Sequence, residues 1–261
     1  MEMVKMISVL RILAFLALVI GFKAAEEYDY TGARGPSHWG DLKEEWKTCG
    51  DGRQQSPIDV LKRNIEISPN LGELQTSYKE ANASLKNNGH DVMLRWAKGA
   101  GSIQVDGVNF TLRQCHWHSP AEHLIGGTRY PLEIHMVHQP ADNKTVVIGI
   151  LYKYGKPDTF LAQVLPFISE AEESLGMIDP KHIKFGSRKY YTYTGSFTTP
   201  PCTEGVTWII IHKVRSVSRD QVRNLIAAVH DGFGKNARPI QSENGRTIEL
   251  YMPQHGASKH I

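Results

Sequence analysis

From Asp91 to Ile211 the chain is broken into short runs rich in β-branched and aromatic residues, and this punctuation constrains the fold more than any other feature of its 261 residues. The runs are Asp91 to Trp96, Ser102 to Val105, Asn109 to His118, Leu132 to His138, Thr145 to Tyr152, Tyr190 to Tyr193 and Val206 to Ile211. Such side chains pack well on a pleated surface. Reversals between runs are supplied by turn formers at Asn88-Gly89, Asp106-Gly107, Gly126-Gly127 and Gly155-Lys156-Pro157. Helical periodicity is clear only over Phe160 to Leu175 and Asp220 to Val229, the second opened by Ser218 as an N-cap. Strands and helices do not alternate regularly. The pattern therefore predicts a mainly β (α+β) fold: one large, mixed, mostly antiparallel twisted sheet with short peripheral helices. No repeat, low-complexity tract or Pro/Ser-rich linker divides residues 26–261, which read as a single domain.

A composition of 41% hydrophobic and 22% charged residues supports a packed core and excludes a disordered or coiled-coil chain. Thirty basic residues against twenty-seven acidic give +3 without long runs, so the electrostatic footprint of a nucleic-acid binder is missing. Residues 1–25 read as a signal peptide: Lys5 and Arg11 precede the apolar run Ile12 to Phe22, then come Ala24, Ala25 and the acidic Glu26 and Glu27. As a helix that run reaches about 16 Å, against a hydrocarbon core of about 30 Å, so no membrane span is expected in the mature chain. Secretory entry permits a disulfide. Cys115 falls inside a strand run, whereas Cys49 and Cys202 lie in turn-like sequence, which makes Cys49 with Cys202 the expected bridge. Closing so long a loop contributes about 5 kcal/mol in the chain-entropy picture. Asn82, Asn109 and Asn143 each open a glycosylation sequon, usable in the same compartment.

Four histidines fall between positions 116 and 135. In Gln114-Cys-His116-Trp-His118-Ser-Pro120 the two outer imidazoles are two residues apart in a strand, so they leave one face about 6.6 Å apart. That spacing lets both converge on one ion at about 2.0 to 2.1 Å from each nitrogen. Cys115 and Trp117 then take the opposite face. A lone His-x-His is as readily structural, and a third ligand has to come from a neighbouring strand. The chain returns through Leu132-Glu133-Ile-His135-Met-Val-His138, where Glu133 and His135 share a face and His138 takes the other. His135 is thus the expected third ligand, with Gln114 and Glu133 accepting the outer imidazole N–H groups. Three neutral nitrogens leave a fourth position for water, the mark of a catalytic zinc. Other hydrolase patterns fit poorly: there is no His-Glu-x-x-His, no second cysteine close after Cys202, and no Gly-x-Ser-x-Gly.

Gln55-Ser-Pro-Ile-Asp59, Asn87-Asn-Gly-His90, Gln114-Cys-His-Trp-His118, Glu122-His123, Glu133-Ile-His-Met-Val137 and Gly195-Ser-Phe-Thr-Thr-Pro-Pro-Cys-Thr-Glu204 together resemble the α-class carbonic anhydrases. The likeness runs from about Tyr30 to Arg246, with the motifs in family order, and looks most like the secreted plant members. It implies zinc at His116, His118 and His135, and reversible hydration of carbon dioxide to bicarbonate and a proton by attack of zinc-bound hydroxide. By position it makes Thr198 the acceptor for that hydroxide and a donor to Glu122, and puts Thr199 near the bicarbonate. Val137, Val147, Phe197, Val206 and Trp208 become the apolar wall for carbon dioxide, His90 the proton shuttle and Tyr30 part of an ordered-water network.

Two departures stand out. Met93 replaces a polar asparagine on the water path, and Phe197 replaces a leucine of the wall. The resemblance also implies a monomer or weak dimer acting on a small molecule, in the extracellular space or apoplast, or in a plastid reached through the secretory route. A non-catalytic storage or binding relative would lack a zinc ligand or the Thr198 and Glu122 pair, and all five residues are present. A zinc esterase using the same nucleophile would be separable by kinetics alone.

Overall fold

The computed structural model describes residues 27–139, 144–169, 171–229 and 235–253. The expected signal peptide and the sequon at Asn143 lie outside them. The strands that build the domain are β1 (Ile65–Ile67), β2 (Ala81–Asn87), β3 (Val92–Trp96), β4 (Ser102–Val105), β5 (Val108–His118), β6 (Leu132–Gln139), β7 (Thr145–Tyr154), β8 (Glu172–Ile178), β9 (Tyr190–Ser196), β10 (Glu204–Ile211) and β11 (Ile248–Tyr251). The main sheet runs in the order β8-β2-β3-β5-β6-β7-β10-β9-β11-β1. Along this order the pairs are antiparallel except β7 with β10 and β11 with β1. This is the mixed, mostly antiparallel sheet that the turn punctuation predicts.

Both faces of the central strands are covered, so β6 and most of β7 are buried without the usual apolar and polar alternation. Leu132, Ile134 and Met136 of β6 enter a core that also takes Phe160, Leu161 and Val164 of α1 (Thr159–Val164) and Val222 and Leu225 of α2 (Arg219–Ala228). On the other face Val137 packs with Val147, Val206, Trp208 and Ile210. A two-residue period has divided one strand between two environments.

Helix α2 starts where Ser218 predicts. Its hydroxyl accepts from the Gln221 amide while Gln221 reaches back to the Ser218 amide, a capping box that satisfies two orphan donors. The other helical expectation needs correction. Over Phe160 to Leu175 the α-helix ends at Val164, passes through a 3₁₀ turn at Leu165–Phe167, and the chain continues as strand β8 from Glu172. Pro166 has no N–H to bond back along a helix. The segment beyond it finds backbone partners on β2 instead. Strands β1, β2, β8 and β11 are also not among the predicted runs: the Asn, Lys, Glu and Ser content of β2 and β8 carries little β signal, and β1 and β11, with three and four residues, are too short to stand out before pairing decides them.

Candidate metal centre and its pocket

Strand register brings the expected ligands together. His135 lies opposite His116, and Glu133 opposite His118, across the β5–β6 pair. One ring nitrogen from each of His116, His118 and His135 falls within 4.8 Å of the others. The hydrogen-bond pattern assigns which nitrogens these are. His116 Nδ1 donates to Gln114 Oε1 at 2.8 Å, His118 Nδ1 to the Asn236 carbonyl at 2.6 Å, and His135 Nε2 to Glu133 Oε1 at 2.9 Å. Each outer N–H is thereby used, leaving His116 Nε2, His118 Nε2 and His135 Nδ1 as lone pairs for the common centre. His118 Nε2 is buried and has no hydrogen-bond partner among the described residues, as expected of a nitrogen built for a metal. Burial, reinforced by the neighbouring imidazoles, pushes the pKa of His116 well down, and burial also lowers His118 and His135. Neutral imidazole is the form that binds zinc, so the donor set fits that metal.

The Glu133 carboxylate organises the floor of the site. It accepts from the backbone amides of Glu122 and His123 at 2.9 and 2.8 Å, and from His123 Nδ1 at 2.8 Å, besides His135. Burial alone would raise its pKa, but His123 and His135 outweigh that and hold it well below the usual carboxylate range. His123 Nε2 is then free to accept from the Tyr193 hydroxyl at 2.6 Å, which in turn meets Ser56 Oγ at 2.8 Å. Gly149, opposite His135 on β7, makes room for this: a Cβ there would sit 2.8 Å from Glu133 Oε1 and from Ile210 Cδ1. Gly195 is equally confined, since a Cβ would lie 2.1 Å from Ser56 Oγ.

Above the imidazoles opens a pocket of about 680 Å³. Val137, Val147, Phe197 and Trp208 form its apolar side, with Thr198, Thr199, Tyr30 and Met93 also on its walls. Val206 lies behind this wall, in the apolar cluster that supports it. Glu122 is fully buried below, its Oε1 accepting from the Arg238 amide at 2.8 Å. Burial lifts its carboxyl to about 7, against the pull of His135, of the Arg238 amide and of the Thr198 hydroxyl. The Thr198 contact is looser than a full hydrogen bond, since Glu122 Oε2 has no close partner among the described residues. A cation held by the three imidazoles would favour the charged carboxylate.

The loop bearing Thr198 and Thr199 is tied down by the expected bridge between Cys49 and Cys202, whose Cα atoms are 5.0 Å apart. The buried Arg238 guanidinium reinforces it, donating to the carbonyls of Cys49 and Ser56 and to Gln55 Oε1, each at 2.8 Å. Cys115 is a free, buried thiol on the opposite face of β5. His90 lines the pocket but is only 8% exposed: it stacks on Tyr28 and its Nε2 donates to the Tyr28 carbonyl at 2.9 Å. Asn82 and Asn109 are exposed strand residues open to modification.

Sequence reasoning assigned no role to Asn236, His123, Tyr193 or Arg238. Asn236 does the most: besides its carbonyl on His118, its side chain bonds the Ser119 amide and the carbonyls of His90 and Trp117. It lies 118 residues from His118, so no local signal points to it. His123 had one, as neighbour of Glu122 in a quoted motif.

A family model for eukaryotic-type carbonic anhydrase matches residues 34–252. Alpha carbonic anhydrase 7 of Arabidopsis thaliana is 49% identical over 232 residues, covering 87% of this chain and 84% of that protein. Dioscorin DB3L of Dioscorea polystachya is 44% identical over 227 residues, covering 84% of each. The crystal structure of dioscorin complexed with ascorbate superposes with a TM-score of 0.86 at 38% identity, covering 88% of this chain and all of that one. Matched across most of its length by the family model and by a relative at 49% identity, this chain belongs to the eukaryotic-type carbonic anhydrase family.

Proposed function

We propose that the protein catalyses the reversible hydration of carbon dioxide to bicarbonate and a proton, with zinc held by His116, His118 and His135. The observation that carries this reading is the convergence of three lone pairs, each fixed by an outer hydrogen bond, at the base of a partly apolar pocket. Zinc on three neutral imidazoles supplies the Lewis acidity that makes a water nucleophilic near neutral pH. With its hydroxyl proton turned toward Glu122, Thr198 would have only lone pairs to offer the attacking oxygen and would so orient it. Val137, Val147, Phe197 and Trp208 hold a substrate that has little to hydrogen-bond and keep bulk water from its far side. Thr199, beside them, can donate to the product anion. His90 carries the surplus proton outward, a task suited to an imidazole at a pocket wall.

The relatives also include dioscorin, and a non-catalytic binding or storage role is the alternative reading. What favours catalysis is the presence of Thr198 and Glu122 together with the complete donor set. The Cys49–Cys202 bridge supports a secretory route and residues 1–25 as its signal, with an extracellular destination or a plastid reached by that route. A monomer or weak dimer remains the expected state.

The deciding experiment is metal quantification beside stopped-flow hydration of carbon dioxide, on the purified protein and on His135→Ala. The expected result is about one zinc per chain, with metal and activity lost together in the variant. A variant that keeps both would overturn the ligand assignment; a zinc-loaded wild type without hydration activity would leave the binding role.

A further inference from the structure

The main sheet ends at β8, which pairs with β2 and with no other strand among the described residues. A free edge of this kind can template pairing with another chain, and proteins guard such edges with charge, bulges or cover. The first half of β8 is guarded: Glu172 and Glu173 carry charge, and the register slips between Ser174 and Gly176. Beyond that bulge Met177 and Ile178 carry none. Ile178 packs against the core, whereas Met177 is 52% exposed.

Directly opposite Met177 across the β8–β2 pair stands Asn82, which opens the sequon Asn82-Ala83-Ser84. Asn82, Ser84 and Lys86 take the outer face of β2, while Ala81, Ala83 and Leu85 enter the core. Asn82 also borders a groove of about 240 Å³ whose walls include Ser84, Arg95 and Ser174, cross-strand neighbours on β2, β3 and β8. Arg95 has no ion-pair partner among the described residues, so the row offers two hydroxyls and an unspent guanidinium, groups that bond well to sugar oxygens. We propose that Asn82 carries an N-linked oligosaccharide whose first sugar rests in this groove and which, lying over Met177, keeps the β8 edge from pairing with a second copy of the chain. Neighbouring strands are about 4.8 Å apart, so a sugar on Asn82 crosses one strand width to reach Met177 and the edge. The modification rests on the secretory entry read from residues 1–25. There the Asn82 amide nitrogen attacks the anomeric carbon of a sugar held on a lipid diphosphate. A C–N bond forms, the C–O bond to the diphosphate breaks, the lipid diphosphate leaves and the amide gives up one proton.

The test is expression of the full chain in a eukaryotic secretory host, with sequon occupancy read by glycopeptide mass spectrometry and self-association by light scattering over a concentration series. The wild type is expected to carry a glycan on Asn82 and to stay monomeric or weakly dimeric. Asn82→Gln and Ser84→Ala each remove the sequon and should tighten self-association about tenfold, the gain from burying Met177 against a second edge. Adding Met177→Lys to either should reverse this, because a lysine on an edge strand blocks pairing. The wild-type chain directed to the bacterial periplasm, which is oxidising but adds no such glycan, should associate as tightly as the sequon variants without any substitution. Secreted protein with Asn82 bare would overturn the proposal. So would sequon variants and glycan-free wild type that associate no more tightly than the glycosylated protein, or an Asn82→Gln, Met177→Lys chain that associates as tightly as Asn82→Gln. A chain held in the cytosol with every sequon bare would overturn the secretory reading and the proposal with it.

Discussion

Lowering the pH from 7.5 to 5.0 is expected to destabilise the fold by about 2 kcal/mol through His138 alone. This residue lies on β6 three positions beyond His135, but on the opposite face, fully buried and hydrogen-bonded through Nε2 to the Tyr78 hydroxyl at 2.7 Å. Burial, partly offset by the nearby Val146 and Met136 carbonyls, pushes its pKa down to about 3. In the unfolded chain an imidazole titrates near 6.5. Between those two values the unfolded state binds the extra proton and the folded state does not. Stability is therefore fully present above about 6.5 and is lost as the pH falls toward 3, at about 1.4 kcal/mol per unit once well below 6.5. His138→Gln removes the titration while keeping a polar partner for Tyr78. Urea unfolding midpoints should be measured for both proteins from pH 7.5 to 5.0. Release of zinc in acid affects both and cancels in the difference. The wild type's stability relative to the variant should shrink by about 2 kcal/mol over this range. A difference that stays constant with pH would show that His138 is protonated or solvated in the fold, and the reasoning from its burial would fail.

The remaining predictions concern the pocket and its supports. Gly149→Ala should displace Glu133, loosen His135 and weaken zinc binding about 10- to 100-fold, as read by competition with a chelator; unaltered affinity would mean that Glu133 does not hold the ring. Asn236→Ala removes three side-chain hydrogen bonds and should cost about 3 kcal/mol in urea unfolding, with faster zinc loss from His118. Replacing Cys49 and Cys202 together by serine should lower stability by about 2 to 5 kcal/mol, and an unchanged unfolding midpoint would remove the stapling role of the bridge. His90→Ala should slow turnover most in weak buffer and recover with added imidazole; equal rates at every buffer strength would end the shuttle assignment.

How much of the site could be read beforehand depends on the distance over which each feature is encoded. The two-residue pleat placed His116 with His118, and Glu133 with His135, on common faces before any pairing was known, because side-chain alternation is a property of one strand. Ser218 announced α2 for the same reason: a cap is made within four residues. Phe160 to Leu175 misled because its apolar spacing suited a helix while Pro166 and an open sheet edge favoured another outcome. The roles of Thr198 and Glu122 came only through resemblance, since a threonine in a Pro-Pro turn and a single glutamate carry no local mark of catalysis.

What the amino-acid order determined by itself is thus seven of the sheet's strands, their faces, and two pairs of in-phase ligands and supports. Tertiary structure alone decided that His135 lies opposite His116, that Asn236 turns its carbonyl to His118, and that Glu122 is buried beneath the Thr198 loop. Periodicity and capping act between residues a few positions apart, whereas these contacts join segments far apart in the chain and exist only once the whole sheet has chosen its register.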